Sequence, residues 1–191
     1  MQEPYAAGDL PFFWLKQSPK GISMAKMIKI ITIWVLLVIP DQLTKMLAVR
    51  YLKGASPIVL IKGILELSYV ENAGAAFGIL QNARWFFLIL TVAILAGLAY
   101  IMHKLVQKPD FMALKTTLCF IAAGAVGNMI DRFTHGYVVD FIYFKLIDFP
   151  VFNVADIYVT CSAFALAILI FAVYKDEDLE GIFRKERGDR G

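Results

Sequence analysis

The stretch FNVADIYVTCSAFALAILIFAVY, residues 152–174, sets an aspartate directly before a long apolar run. From Ile157 to Tyr174 the chain contains no Asp, Glu, Lys or Arg. An α-helix rises about 1.5 Å per residue, so about 18 to 20 such residues cross the hydrocarbon core of a bilayer with little tilt. The stretch therefore predicts a membrane-spanning helix that begins next to an acidic residue, Asp156.

Three earlier segments have the same apolar character. Trp85–Met102 contains no charge, whereas Met27–Val49 and Lys115–Ile130 have polar residues close to one end. Apolar residues make up 59% of the 191 residues and charged residues 18%, against about 25% charged in an average soluble domain. We therefore predict an all-α membrane protein with four transmembrane helices. Between the first two helices, Ile58–Val70 carries β-branched and aromatic residues, which favours short strands at the membrane surface.

The basic residues predict the orientation of these helices. With four spans both termini lie on one side, and 12 of the 19 Lys and Arg residues fall on that side. Because basic residues are enriched on the cytoplasmic side, we expect cytoplasmic termini and outward-facing loops at 50–84 and 132–153. Residues 1–24 and 176–191 are interpreted as cytoplasmic tails, and residues 25–175 as the transmembrane domain.

The acidic and amide residues that adjoin the apolar segments lie at the outward ends of those segments. Their convergence on one depth of the membrane is typical of a functional site. Asp41 and Lys45 are four residues apart, so a helix places them on one face; an ion pair and a substrate-binding role both remain open. Asn128 shares a helix face with Asp131 and Arg132, and we interpret the three as a polar cluster that positions the following loop.

Asp140 and Asp156 differ from these residues because neither has a basic residue at a local helical spacing. Two such acids near hydrocarbon are costly unless they share a proton or serve a task. In an aspartic protease one acid stays protonated while the other is ionised and activates water. Such a pair titrates as a unit, so the sequence does not say which acid holds the proton. Ordinary interfacial acids and an ion path remain alternatives.

Several other classes of site find no support in the sequence. The net charge of +3, without a basic patch that carries interleaved aromatic residues, argues against a nucleic-acid partner. His103 and His135 fall at opposite membrane faces without further ligands nearby, so no zinc site is predicted. Cys119 and Cys161 both lie inside apolar runs, where they are expected to pack as small apolar side chains rather than pair.

Five short blocks resemble the signature blocks of the lipoprotein signal peptidase (signal peptidase II) family. They follow the family's order and together span most of the chain: DQLTK at 41–45, VENAGAAFG at 70–78, GAVGNMIDR at 124–132, VVDF at 138–141 and FNVAD at 152–156. Two departures are minor. Ala123 stands where the family often has glycine, and the segment at 1–24 is longer than usual for the family.

The resemblance implies a role for eleven residues. By position, Asp140 and Asp156 correspond to the catalytic pair of the family. Nine further positions match residues that shape the site or hold the substrate: Asp41, Lys45, Asn72, Gly74, Asn128, Asp131, Arg132, Asn153 and Ala155. The implied fold adds a small extracytoplasmic β-sheet cradle and a surface helix to the four transmembrane helices.

The implied activity is that of an aspartic endopeptidase in the bacterial cytoplasmic (inner) membrane, with its active site at the extracytoplasmic face. It would remove the signal peptide from diacylglyceryl-modified prolipoproteins by cleaving before the lipidated cysteine. Its partners would be this substrate and membrane lipid, and neither a metal, a cofactor nor an oligomer is implied.

Three other functions remain to be weighed against this one. A carboxylate-lined transporter or proton path would need acids spread through the depth of the bundle, whereas these gather at one end. An intramembrane protease of the GxGD kind would need that motif, which no apolar segment contains. A purely structural bundle would leave the two aspartates without a role.

Overall fold

The computed structural model describes residues 24–74, 79–106 and 108–183. Almost all of the interpreted tail at 1–24 lies outside these residues, as does the end of the second tail, 184–191. The loop residues 75–78 within the VENAGAAFG block also lie outside them.

Five α-helices are formed by the described residues: α1 (Met24–Leu52), α2 (Arg84–Leu105), α3 (Met112–Thr134), α4 (Val154–Ile168) and α5 (Asp176–Phe183). Short 3-10 helices occupy Pro109–Phe111 and Lys145–Ile147, and one π-helical turn, Leu169–Val173, extends α4. Within the described ranges, four helical stretches are long and apolar enough to cross a membrane: Thr32–Leu52, Arg84–Leu105, Pro109–Thr134 and Val154–Val173. The prediction of four membrane-spanning helices is confirmed.

Helix α1 is a few residues longer at each end than the apolar segment Met27–Val49 that predicted it. Pro40 lies inside the helix, and the helix runs on through Asp41 and Lys45 to Leu52. Proline lacks the backbone N–H that an interior helical residue normally donates, so the helix forms one hydrogen bond fewer at this point. Asp41 and Lys45 face the interior of the bundle and are buried there.

A three-stranded antiparallel sheet covers one end of the bundle, which we call the sheet end. Its strands are β1 (Ile58–Ile61), β2 (Leu65–Asn72) and β3 (Val138–Phe144), in the order β1-β2-β3. The first two strands confirm the prediction for residues 58–70. In the described residues of the loops at this end, helical structure is limited to the turn at Lys145–Ile147, so the implied surface helix is not found there.

Helix α3 lies at the centre, packed against α1, α2 and α4. Its close approach to α4 depends on Gly124, where an added Cβ would lie 2.5 Å from the Ala155 carbonyl oxygen and 2.8 Å from Val159 Cγ2. At the end opposite the sheet, an apolar cluster centred on Leu105 includes Ile182 of α5. At the sheet end the interior is polar, and it is there that the candidate residues meet.

Candidate active site

Asp140 and Asp156 reach the same cavity from different elements. Asp140 lies on β3 opposite Val70 of β2 and is only 2% exposed. Asp156 lies in the first turn of α4. The cavity has a volume of about 320 Å³ and is lined by Asn72, Gly74, Asn128, Arg132, Val138, Asp140, Phe149, Pro150, Val151, Phe152, Asp156 and Thr160. The two acids, which are 16 positions apart in the sequence, thus face one shared space.

Asn153 contacts both carboxylates. Its side-chain Nδ2 donates to Asp140 Oδ1 at 2.6 Å, and its backbone N–H donates to Asp156 Oδ2 at 3.1 Å. Its Oδ1 accepts from the backbone N–H of Asp156 at 3.0 Å. The last two bonds form a capping box, in which the residues at the N-cap and N3 positions satisfy each other's backbone donors. The sequence NVAD therefore begins α4 and aims Asp156 at the same time.

The remaining two carboxylate oxygens accept from asparagine amides on other elements. Asn72 Nδ2 donates to Asp140 Oδ2 at 2.9 Å, and Asn128 Nδ2 donates to Asp156 Oδ1 at 2.8 Å. Each of the four carboxylate oxygens thus receives one N–H donor, and every donor is an amide rather than a cation. Amide donors stabilise a carboxylate without neutralising it, so the pair keeps its capacity to bind and release a proton.

The environment of Asp140 favours its protonated form. Burial raises the pKa of Asp140 to about 7, and the negative charge of Asp156 acts in the same direction. The amide donors of Asn72 and Asn153 oppose this shift because they favour the ionised form. A carboxyl group with a pKa near 7 is suited to hold and transfer a proton at neutral pH.

Lys45 is only 3% exposed and bridges two further acids, Asp41 and Asp131. Its Nζ is 3.0 Å from Asp41 Oδ2 and 3.1 Å from Asp131 Oδ2. It also donates to Asn128 Oδ1 at 2.8 Å. The predicted meeting of Asp41 and Lys45 on one helix face is confirmed, and the structure adds Asp131 as a second partner.

The two paired acids hold the backbone next to each candidate catalytic residue. Asp41 Oδ1 accepts from the N–H of Ala155, which precedes Asp156, at 2.9 Å. Asp131 Oδ2 accepts from the N–H of Val139, which precedes Asp140, at 3.0 Å. Asp41, Asp131 and Ala155 therefore contribute to the site through the position of the backbone.

Gln42 joins this arrangement although the sequence reading did not single it out. Its Nε2 lies 3.0 Å from Asp41 Oδ2, 3.3 Å from Asp131 Oδ1 and 3.2 Å from the carbonyl oxygen of Gly127. The signals in the sequence were its place between Asp41 and Lys45 and its membership of the DQLTK block at 41–45.

Gly127 allows Asp41 to approach α3, which leads to a test by substitution. A Cβ at this position would collide with Asp41 Oδ2 and lie 3.3 Å from Ala155 Cβ. We expect Gly127→Ala to lower the free energy of unfolding by about 1–3 kcal/mol, as overpacking typically does. The matched control is Gly97→Ala on α2, where an added Cβ meets nothing within 4 Å, and helix propensity predicts a gain of up to about 1 kcal/mol. Thermal unfolding in detergent checks both, and a Gly127→Ala variant as stable as wild type would contradict the expectation.

Gly74 and Arg132 form the side of the cavity that faces the connection between β2 and α2. The N–H of Gly74 donates to Asn72 Oδ1 at 3.0 Å, and Arg132 donates to the Gly74 carbonyl oxygen at 3.1 Å. A Cβ at Gly74 would lie 2.6 Å from the carbonyl oxygen of Ile79. Gly74 is therefore required for the packing of its own loop. Arg132, which lies on α3, holds this loop against the helix.

The opposite side of the cavity is apolar and was not anticipated. Phe149, Pro150, Val151 and Phe152 line it, just before Asn153. Phe152 forms an antiparallel bridge with Ile142, which fixes this segment along the free edge of β3. The aromatic and β-branched composition of the segment was the available signal, but it lay in a loop whose path the sequence did not define.

The described residues contain no group of three or more His, Cys, Asp or Glu side chains placed to hold a metal ion. Cys119 is buried and Cys161 is exposed, and both are free thiols. Two hydrogen-bonded carboxyl groups that face a cavity can take a proton from water and deliver one to a bound carbonyl group, which is the chemistry of an acid–base pair.

The comparisons with known proteins agree with this arrangement. Residues 33–172 match the family model described as signal peptidase (SPase) II. The chain is 44% identical over 136 residues to a lipoprotein signal peptidase of Brevibacillus brevis, with 71% of this chain and 88% of that protein covered. A lipoprotein signal peptidase of Caldanaerobacter subterraneus subsp. tengcongensis is 48% identical over 131 residues, covering 68% of this chain and 87% of that protein.

Two solved structures, each described as a bacterial membrane enzyme, have a similar fold. The first superposes with a TM-score of 0.67 at 33% identity and covers 83% of this chain and 93% of its own. The second gives a TM-score of 0.65 at 34% identity, with 76% and 94% covered.

Proposed function

The chain belongs to the signal peptidase (SPase) II family, and from this premise we propose that Asp140 and Asp156 are its catalytic carboxylates. It is a membrane aspartic peptidase that removes signal peptides from prolipoproteins. The observation that carries the assignment of the residues is the hydrogen bonding around Asn153, which contacts one oxygen of each carboxylate at the edge of one cavity. In the described part of the chain, no other two acids line that cavity together.

The proposed reaction begins with a water molecule held between the two acids. The ionised carboxylate takes a proton from the water as its oxygen attacks the scissile carbonyl carbon, and the neutral acid hydrogen-bonds and protonates the carbonyl oxygen. The resulting tetrahedral intermediate collapses when the C–N bond breaks. The acid that took the water proton gives it to the leaving amine, and the hydroxyl group formed from the carbonyl oxygen returns its proton to the other acid as the C=O bond forms again. The elevated pKa of Asp140 suits it to the neutral role at the start of this cycle.

The proposed substrate is a prolipoprotein that carries a diacylglyceryl group on its cysteine, cleaved on the amino side of that cysteine. The cavity lies at the sheet end of four apolar helices, so a substrate held in the membrane reaches the acids at the depth where the helices begin and end. Acyl chains would remain in lipid against exposed apolar side chains of the helices, and membrane lipid is therefore the second partner.

The proposed orientation places the sheet end on the extracytoplasmic side of the bacterial cytoplasmic membrane. The excess of Lys and Arg on the side of the termini supports this placement. Residues 25–175 would then form the transmembrane peptidase domain. The flanking segments 1–24 and 176–191 would lie in the cytoplasm, the second of them beginning with α5.

Substrate cleavage by the purified protein tests the function directly. The protein is incubated with one prolipoprotein in lipidated and unlipidated form, and release of the signal peptide is followed by mass spectrometry. We expect cleavage of the lipidated form only, with Asp156→Asn as the inactive control. Cleavage of both forms at one rate would contradict the lipid requirement, and cleavage of neither would contradict the function.

The pH dependence of cleavage tests the role of Asp140. With its pKa near 7, Asp140 loses its proton as the pH rises through neutrality, so we expect the rate to fall on the basic side. Asn72→Ala removes a donor that favours the ionised form, which raises the pKa of Asp140 further and moves the basic limb to higher pH.

The measurement is kcat/KM between about pH 5 and pH 9, the range in which such limbs appear. Glu71→Gln is the matched control, because Glu71 adjoins Asn72 but bonds Lys53 and Tyr69 away from the cavity. A basic limb that moved to lower pH in Asn72→Ala would contradict the assignment.

A further inference from the structure

The lining of the cavity has two chemically different sides, which lie along opposite edges of β3: β2, which carries Asn72, pairs with one edge, and Phe152 bridges Ile142 at the other. Asn72, the Gly74 backbone and Arg132 make one side polar, and Phe149–Phe152 make the other apolar. An extended peptide presents polar backbone groups and, on alternate residues, side chains toward one surface. A peptide bound here can therefore direct its carbonyl groups to the polar side while one side chain contacts the apolar side.

We propose that Phe149 is a specificity-determining residue, whose ring receives one apolar substrate side chain close to the scissile bond. This inference rests on the proposed function. Phe149 lines the cavity yet is 46% exposed, so much of its ring is available for contact. Its neighbour Phe152 braces it edge-to-face, with ring centroids 5.7 Å apart.

Hydrogen bonds at both ends hold the loop that carries Phe149 in a fixed shape. Before it, Tyr143 donates to Asp148 Oδ1 at 2.5 Å, and the N–H of Phe149 itself donates to the Phe144 carbonyl oxygen at 3.2 Å. After it, Phe152 exchanges backbone hydrogen bonds with Ile142 at 2.8 and 3.0 Å. The ring is therefore placed before substrate arrives, which lets it discriminate between side chains of different size.

An ion pair fixes the start of the same loop. Lys145 Nζ lies 2.7 Å from Glu66 Oε1 on β2, and Glu66 is largely buried. The loop then leads within four residues from Phe149 to Asn153, which contacts both carboxylates. Phe149 and the two acids line the same cavity. The size of a substrate side chain that contacts Phe149 therefore affects how the scissile bond is placed relative to the acids.

The test measures kcat/KM for lipidated prolipoproteins that carry Ala, Leu or Phe at each of the three positions before the cysteine. At one position, wild type is expected to prefer Leu over Ala, and Phe149→Ala is expected to reduce that preference about tenfold. Phe149→Trp, which narrows the site, is expected to disfavour Phe at the same position. Phe149→Leu serves as a milder variant if Phe149→Ala fails to fold, and thermal unfolding monitors folding.

Leu146→Ala is the matched control, since Leu146 lies in the same loop, is 61% exposed and does not line the cavity. It is expected to leave all preferences unchanged. A uniform loss of kcat/KM for every substrate in the Phe149 variants would overturn the proposal, as would unchanged preferences. If wild type cleaves none of the lipidated substrates, the proposed function itself fails. This result can be told apart from a uniform loss and from unchanged preferences, because in both of those wild type is active.

Discussion

Exchange of either proposed catalytic carboxylate, Asp140 or Asp156, for the matching amide is expected to lower the rate of cleavage by about 10³-fold or more, as loss of a positioned acid or base does. In Asp156→Asn the group that takes a proton from water or returns it to the amine is lost. In Asp140→Asn the acid that protonates the carbonyl oxygen is lost, because an amide does not exchange a proton at neutral pH. The measurement is single-turnover cleavage of a lipidated prolipoprotein.

Folding should survive both exchanges, since asparagine has nearly the shape of aspartate. An asparagine at position 156 still offers an oxygen to the N–H of Asn153, so the capping box can persist. The control is Asp110→Asn in the exposed connection between α2 and α3, which should cleave at the wild-type rate. If Asp140→Asn or Asp156→Asn processed substrate nearly as fast as wild type, the two residues would not be the catalysts.

The second large effect is expected from Lys45→Met, which removes the only cation that contacts Asp41 and Asp131 in the described residues. Both carboxylates would remain buried with their charges unopposed. Removal of one partner from a buried ion pair costs about 3–5 kcal/mol of stability. The melting temperature in detergent should therefore fall steeply, while kcat measured well below that temperature should change less.

Lys53→Met provides the comparison. Lys53 also pairs with an acid, Glu71, at 2.8 Å, but the two side chains are 54% and 39% exposed, and exposed pairs contribute little. Its melting temperature should stay close to that of wild type. If Lys45→Met melted normally and lost activity instead, Lys45 would act on the substrate, which was the alternative left open by the sequence.

The sequence was most informative where a single physical pattern decided the structure. The uncharged runs in α2 and α4 are too long and too apolar for a soluble core, so their membrane assignment followed from composition. The gathering of polar residues at one end predicted a site because burial of such groups in hydrocarbon is costly. These two patterns predicted, without any knowledge of tertiary contacts, the end of the bundle at which the candidate residues meet.

The sequence was least informative where distant contacts override a local signal. Strand β3 was missed because VVDFIYF lies between two helices, and its pairing partner, β2, is more than sixty residues earlier. Its β-branched and aromatic residues were the available signal. Proline disfavours a helix interior, yet α1, which packs against α3, continues beyond Pro40.

The hydrogen-bond partners of Asp140 and Asp156 also could not be predicted from the sequence. Asp140 and Asp156 were seen to lack nearby cations, which is correct for their direct contacts, but each carboxylate proved to be held by amides. Asn72 lies 68 positions from Asp140, and Asn128 lies 28 positions from Asp156. No local spacing rule connects residues so far apart.

The place of Asn153 at the beginning of α4 has a consequence for biosynthesis. Helix α4 is the last of the four membrane helices to leave the ribosome, and it brings both Asn153 and Asp156. Until it docks, Asp140 has only Asn72 as an amide partner. If Asp140 and Asp156 are the catalytic pair as proposed, a nascent chain cannot hydrolyse a peptide bond until α4 has inserted and docked.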